Sequence, residues 1–209
     1  MSARLVYIHD PMCSWCWAFA RAYRRLLEAL PPSVRVERLL GGLAPDSIDA
    51  MSAAMQQHLQ RTWRTIEARV PGTRFNHDFW RRCQPRRSTW PACRAVIAAR
   101  QQGLEHDATM TAAIQRGYYL DAENPSDDAT LIAFADALGL DADAFADALN
   151  AAATQQQLEH EMTAARQLGV RGFPALMLLR EDAAHPPIPI APHYTDPSAM
   201  IARIQSALG

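Results

Sequence analysis

Hydrophobic and polar positions change their period twice within the first 42 residues. Residues 5–9 are apolar and mostly β-branched or aromatic, and an Asp-Pro turn signal follows them, which predicts a short buried strand. Apolar side chains then recur at helical spacing from Cys13 to Leu30, where Pro31-Pro32 ends the predicted helix. A second strand is predicted over 34–40. This β-α-β order predicts parallel pairing through a right-handed crossover.

The middle of the chain, residues 44–167, is alanine-rich and has helical periodicity interrupted by proline and glycine. This pattern predicts a run of short helices. The clearest of them covers 126–139, where Ser126 is the predicted N-cap and Gly139 ends the helix.

Strand signals return after this helical block. Residues 175–179 are predicted to form a buried strand, a polar turn follows, and the proline-rich stretch 186–192 can hold only an edge strand. A last helix is predicted over 197–208. We therefore expect one discontinuous α/β domain, formed by residues 1–43 and 168–209, with the helical block inserted into it as a subdomain.

Composition and charge narrow the range of functions. The chain has 209 residues, 49% of them hydrophobic, so it can bury a core without disulfides or a structural metal. All 21 basic residues are arginine, which excludes mechanisms that need a P-loop lysine or a Schiff base. The formal net charge of -1 argues against nucleic acid or an anionic membrane as partner. With no secretory signal or membrane-spanning run visible, a cytoplasmic location is expected.

The strongest chemical signal is the motif Cys13-Ser-Trp-Cys16 at the junction of a predicted strand and helix. The free N–H groups and positive dipole end of a helix N-terminus stabilise a thiolate, which makes Cys13 the candidate nucleophile. Cys16, one turn later, is the candidate resolving thiol. A zinc half-site and two inert thiols are the alternatives, but the spacing of Cys83 and Cys93 does not complete a zinc knuckle. We expect no metal.

A second element, Gly169-Val-Arg-Gly-Phe-Pro174, precedes the later strand. Together with the cysteine motif it resembles the thioredoxin superfamily. The intervening helical block and Asp10-Pro11 are similar to the DsbA-like branch, especially its FrnE-like and cytoplasmic disulfide-isomerase-like members. The resemblance implies an α/β thioredoxin fold with a large inserted all-helical subdomain. It also implies that Pro174 is cis beside the cysteines and that the backbone of Phe173 binds substrate.

The resemblance makes several neighbours of the cysteines candidate site residues. Ser14 and Trp15 lie between the cysteines and are expected near substrate, although neither favours a thiolate as strongly as the histidine of the periplasmic oxidant. Independently of the resemblance, five arginines close in sequence form a basic cluster, which is expected either to bind carboxylates of glutathione or of an acidic peptide or to be no more than solvated surface charge. They are Arg81, Arg82, Arg86, Arg87 and Arg94.

Two further positions depend on the same resemblance. Cys93 falls in a segment that packs beside the active site of related proteins, so it is either a third active-site thiol or a small buried hydrophobe. Tyr7 occupies the position where thioredoxin-like proteins often carry a buried acid. Asp10 and His9 are the candidates to replace that acid, although a histidine at a strand end is more often structural.

The implied activity is that of a thiol-disulfide oxidoreductase of the protein disulfide reductase or isomerase type. Its partners would be a disulfide-containing protein or a small thiol, with glutathione as the only candidate co-substrate and no resident cofactor. The alternative is a glutathione-dependent transferase or isomerase of the kappa-class or hydroxychromene-carboxylate-isomerase type. Those families commonly have serine where this chain has Cys13, which favours redox chemistry. A non-catalytic binding module is the third hypothesis.

Overall fold

The computed structural model describes residues 3–180 and 185–208. These residues contain a mixed four-stranded sheet in the order β2-β1-β3-β4. Its strands are β1 (Ala3–His9), β2 (Val34–Leu40), β3 (Ala175–Arg180) and β4 (Ile188–Ile190). β1 pairs in parallel with β2 and antiparallel with β3, and β4 forms the edge. The predicted strands and parallel pair are therefore confirmed, whereas most of the predicted polar turn, 181–184, lies outside the described residues.

The helices divide between the two parts of the chain. Helix α1 (Ser14–Glu28) connects β1 to β2, and α9 (Ser198–Leu208) follows β4. Between β2 and β3 lie α2 (Ala53–Arg69), α3 (Phe79–Arg82), α4 (Trp90–Gln101), α5 (His106–Arg116), α6 (Asp128–Ala137), α7 (Ala142–Leu149) and α8 (Ala152–Gln167). α5 continues into one π-helical turn, Gly117–Asp121.

The predicted N-cap of α6 is wrong. The residue that precedes this helix is Asp127, whose backbone is extended, with φ -104° and ψ 124°. The buried Ser126 hydroxyl donates instead to the carbonyl of Ser88 at 2.7 Å. Ser126 thus fastens the loop before α6 to the loop before α4, a long-range contact that the local sequence pattern does not reveal.

Both faces of the sheet are covered, which fixes the orientation of α1. On one face Leu5 packs with Phe19 and Leu26 of α1 and with Ile204 of α9. On the other face the core contains Val6, Ile8, Leu39, Ala165 and Met177. Burying each large apolar side chain contributes about 1.5 to 3 kcal/mol, so the packed sheet gives α1 a rigid support.

A network of buried and half-buried ions joins the helical block to β2. Asp107 on α5 contacts Arg38 on β2 at 2.5 Å and Arg100 on α4 at 2.6 Å. Arg100 also contacts Glu161 on α8 at 2.6 Å, and Glu161 accepts the Leu40 N–H at 2.8 Å. Because the charges neutralise one another, the network fixes three helices against the end of β2.

We predict that Asp107→Asn lowers the free energy of unfolding by about 3 kcal/mol, because it leaves two arginines without a shared counter-ion. Urea unfolding measures the change. The control is Asp49→Asn on an exposed loop, which should stay within about 0.5 kcal/mol of wild type. Equal stability of the two variants would contradict the structural role given to the network.

Candidate active site

Cys13 lies at the N-cap of α1, with φ -80° and ψ 116°. Its carbonyl accepts the Trp17 N–H at 3.0 Å, while the first N–H groups of the helix lack intrahelical partners. Its side chain is 7% exposed, whereas that of Cys16 is 0% exposed. An incoming disulfide can therefore reach Cys13 first.

The pKa values of the two thiols are shifted in opposite directions. Hydrogen bonding from the Cys16 thiol lowers the pKa of Cys13, and the N–H groups of Cys16 and Trp15 act in the same direction. Burial and the nearby Asp10 charge oppose this shift. Burial raises the pKa of Cys16 well above its usual range, and the hydrogen bond to Cys13 adds to this. Cys13 is therefore the better nucleophile and Cys16 keeps its proton.

The segment before β3 lies against this thiol. The Phe173–Pro174 peptide bond is cis, and the Cys13 Sγ is 3.6 Å from the Phe173 carbonyl oxygen. The Phe173 ring packs against Gly41, where an added Cβ would lie 2.1 Å from two ring carbons. Because Gly41 has no side chain, the ring can occupy this space and the Phe173 backbone stays beside Cys13.

Asp10 is fully buried just before the cysteine motif. Its carboxylate accepts the N–H groups of Met12 at 2.8 Å and Leu43 at 2.7 Å. It also accepts the Thr89 hydroxyl at 2.7 Å and the Cys93 thiol at 3.5 Å. Burial raises the pKa of Asp10, and these hydrogen bonds oppose that shift. One carboxyl group thus links the cysteine loop, the segment after β2 and the region around α4.

The other two cysteines lie in different environments. Cys93 is fully buried on α4, and burial followed by the Asp10 charge raises its pKa well above the usual range. Cys83 is half-buried and its thiol donates to the Ala122 carbonyl at 3.2 Å. All four cysteines are free thiols. The structure thus places Cys93 against Asp10, and its part in thiol exchange stays a prediction.

Tyr7 and His9 stack on each other, with ring centroids 4.8 Å apart and planes 6° apart. Burial raises the pKa of Tyr7 well above its usual range. Burial, followed by the charge of Arg38, lowers the pKa of His9 well below its usual value. Both side chains are therefore neutral near pH 7. Asp10 is the sequence-predicted acid that the structure brings close to the cysteines.

A cavity of about 370 Å³ opens beside Cys13. The Ser14 hydroxyl accepts the Trp63 indole N–H at 3.0 Å and so faces the helical block. Trp15 is half-buried and packs edge-on against Tyr194 at 5.1 Å. The lining includes Cys13, Ser14, Trp15, Phe173, Leu43, Met51, His58, Arg87 and Tyr118.

The arginine cluster separates into paired and unpaired members. Arg81 pairs with Asp78, Arg86 with Asp127 and Arg94 with Asp46. Arg82 donates to the Asp121 carbonyl at 3.4 Å. Over residues 3–180 and 185–208, Arg87 has no hydrogen bond or ion pair, and it lines the cavity beside Cys13. One member of the cluster is therefore free to bind an anion there.

Sequence reasoning missed other residues of this cavity. His58 comes from α2, and Leu43 and Met51 come from the connection between β2 and α2. The local sequence gives no signal for them, because they reach Cys13 only when the helical block folds over α1. Within the described part of the chain, no cluster of three or more potential metal ligands occurs. No helix there has the length and hydropathy needed to cross a bilayer.

Comparison with known proteins agrees with this fold. A family model described as the DSBA-like thioredoxin domain matches residues 5–186. A proposed protein disulfide isomerase from Nitrosomonas europaea is 25% identical, with a TM-score of 0.85, covering 100% of this chain and 98% of that one. The match confirms the predicted DsbA-like fold.

Two further similarities are more distant. The cytosolic disulfide reductase DsbM from Pseudomonas aeruginosa, solved with GSH, is 22% identical, with a TM-score of 0.76 and 98% coverage of both chains. The ClpXP adapter protein SpxH of Halalkalibacterium halodurans is 22% identical over 193 residues. That alignment covers 88% of this chain but only 61% of the adapter's length.

We predict that Asp10→Asn lowers the pKa of Cys13, because it removes a negative charge that opposes the thiolate. It should also lower the free energy of unfolding by about 1 to 3 kcal/mol, since the new amide faces a hydrogen-bond donor. Ultraviolet absorbance of the thiolate against pH measures the first effect, and urea unfolding the second. Asp49→Asn is the control for both, and an unchanged or higher Cys13 pKa in Asp10→Asn would refute the first.

Proposed function

This chain belongs to the DSBA-like thioredoxin domain family, and from that premise we propose that it is a thiol-disulfide oxidoreductase of the disulfide reductase or isomerase type. One observation carries the proposal. Cys13 is the more acidic thiol, lies at a helix N-terminus and is 3.6 Å from the Phe173 carbonyl, with Cys16 buried and protonated one turn later. This is the arrangement that sequential attack on a disulfide requires.

The exchange proceeds in two displacements. The Cys13 thiolate attacks one sulfur of the substrate disulfide, and the other sulfur leaves as a thiolate that takes up a proton. Cys16 then loses its proton and attacks the Cys13 sulfur, which releases the second substrate thiol and leaves a Cys13–Cys16 disulfide. Two electrons have passed to the substrate. Two equivalents of a cellular thiol return them and are themselves oxidised to a disulfide.

The surroundings of Cys13 favour an extended peptide as substrate. The Phe173 backbone, beside the cis Pro174, offers a carbonyl to a substrate strand that lies along it. Trp15, half-buried at the cavity wall, provides an apolar surface next to the reacting sulfur. A disulfide-containing protein is therefore the proposed substrate.

Glutathione is the proposed recycling thiol. It has two carboxylates, and the Arg87 guanidinium, unpaired among the described residues, lies in the wall of the cavity that holds Cys13. The similar DsbM structure is described as containing GSH. Reduction by glutathione requires a reducing compartment, so the proposed location is the cytoplasm.

The competing proposal is a glutathione-dependent transferase or isomerase that uses the same cavity. The redox equilibrium of the Cys13–Cys16 pair in glutathione buffers, with Cys83 and Cys93 replaced, separates the two. An internal disulfide with a potential between about -270 and -120 mV supports dithiol chemistry. A persistent dithiol or a stable Cys13–glutathione adduct supports the transferase or isomerase.

We predict that Cys13→Ser abolishes disulfide reduction. Cys16→Ser should accumulate a mixed disulfide between Cys13 and the substrate, because no thiol remains to attack the Cys13 sulfur and release the substrate. Mass spectrometry after acid quenching detects the adduct. In wild type, the alkylation rate of Cys13 should reach half its maximum at a lower pH than for free cysteine, given its lowered pKa. Cys83→Ser is the control and should react as wild type does. Full reductase activity in Cys13→Ser would exclude the proposed nucleophile.

We predict that Arg87→Gln raises the KM for glutathione by about three- to tenfold, because the ion pair between the Arg87 guanidinium and a glutathione carboxylate is lost. The kcat and the rate with a neutral thiol such as mercaptoethanol should change little. Arg64→Gln, on the exposed side of α2, is the matched control. If Arg87→Gln lowers turnover equally with both thiols, Arg87 supports the fold of the cavity and does not recognise the carboxylate.

A further inference from the structure

A second cavity of about 440 Å³ lies along the side of α1. Its walls are α1 itself, the turn 70–73 after α2, and the segment Tyr194-Thr195. Tyr194 contacts Trp15, which lines the cavity beside Cys13. The two cavities thus share an aromatic wall at the first turn of α1. We call the second one the α1 arginine cleft.

Three arginines at three- and four-residue spacing line this cleft. They are Arg21, Arg24 and Arg25, all exposed on α1. Arg25 donates to the Thr195 carbonyl at 3.3 Å. Across residues 3–180 and 185–208, Arg21 and Arg24 have no ion pair or hydrogen bond from their side chains. An added Cβ on Gly72 would lie 3.4 Å from the Arg21 Nη1, so this guanidinium extends toward the opposite wall.

This charge arrangement is not explained by the helix. Like charges three and four residues apart on a helix repel one another and destabilise it. The helix dipole favours a cation in the last turn, where Arg25 lies, but not at Arg21 in the middle. Asp196 lies nearby, and its carboxylate already accepts the N–H and hydroxyl of Ser198 at 3.0 and 2.7 Å. Glu28, four residues after Arg24 on α1, forms no ion pair with it among the described residues. The cleft therefore presents positive charge to an external anion.

The floor of the cleft is apolar and fixed. Val70 and Ala18 are buried there. The Trp17 ring stacks on Tyr119 at 5.7 Å, and its indole N–H is already donated to the Arg74 carbonyl at 3.1 Å. A small inorganic anion would leave this floor uncovered. A ligand with carboxylates and an apolar side chain would cover both features.

We propose that the α1 arginine cleft binds an acidic, partly apolar segment of the protein substrate whose disulfide is attacked by Cys13. The inference rests on the proposed function and adds a substrate class to it. Cys13 and Arg21 are eight residues apart on the same helix, about 12 Å along its axis. Since an extended peptide advances about 3.3 Å per residue, the acidic residues would lie about four to six positions from the substrate cysteine.

The test uses two disulfide-bridged peptides that differ only in this segment. One has two glutamates and a leucine at the positions four to six residues from a cysteine, and the other has glutamines in place of the glutamates. Wild type should reduce the acidic peptide with a kcat/KM about five- to tenfold higher than that for the glutamine peptide, as two exposed ion pairs allow. The difference should come from a lower KM, with kcat unchanged. Raising the salt concentration should shrink this preference.

The variant Arg21→Gln/Arg24→Gln should lose the preference, with the loss confined to the acidic peptide. The control Arg64→Gln/Arg203→Gln removes the same charge from exposed positions on α2 and α9 and should keep the preference. No preference in wild type, or an equal loss with both peptides in the cleft variant, would overturn the proposal.

A binding measurement separates this inference from the proposed function. If neither peptide is reduced, the proposed function fails, and the cleft is tested alone with a fluorescent acidic peptide in which both cysteines are alanine. Fluorescence anisotropy with the Cys13→Ser protein should show that the acidic peptide binds more tightly than the glutamine peptide. The substitutions Arg21→Gln and Arg24→Gln should remove this difference. Equal or undetectable binding of both peptides would overturn the inference.

Discussion

The carboxyl group of Asp10 accepts hydrogen bonds from the cysteine loop, from the segment after β2 and from Thr89 and Cys93 at α4. A buried carboxylate costs several kcal/mol unless its oxygens are fully satisfied. Four donors from distant parts of the sequence supply that compensation, so they must all be in place together. The position of Cys13 relative to the helical block depends on this group.

The same charge affects the chemistry of the site. The Asp10 charge opposes ionisation of both cysteines, while the Cys16 hydrogen bond and the N–H groups of Cys16 and Trp15 favour the Cys13 thiolate. A strongly oxidising dithiol has a strongly stabilised reduced form. Since the thiolate here is stabilised against an opposing carboxylate, the balance favours the internal disulfide more than it would without Asp10. This supports the reductase or isomerase side of the proposed activity.

Local patterns predicted what local forces determine. The strands and α1 follow from hydrophobic period, and the proposed nucleophile from the cysteine motif at a strand–helix junction. The cis Pro174 came only from family resemblance, because a proline that opens a strand is otherwise unremarkable. Ser126 was misassigned as a cap, since its partner Ser88 is distant in sequence. For the same reason no pattern indicated that Arg87, beside Cys13, would make neither a hydrogen bond nor an ion pair within the described part of the chain.

Helix α1 links reactivity to recognition. Its buried face, with Phe19 and Leu26 packed against the sheet, fixes the helix in one orientation. That orientation directs Trp15 into the wall of the cavity beside Cys13 and Trp17 into the floor of the α1 arginine cleft. A substrate held in the cleft would therefore meet the nucleophile at a distance set by helix geometry. Because the same rigid element carries the thiol and the arginines, selectivity would come from where a charged segment lies relative to a disulfide, with no conformational change required.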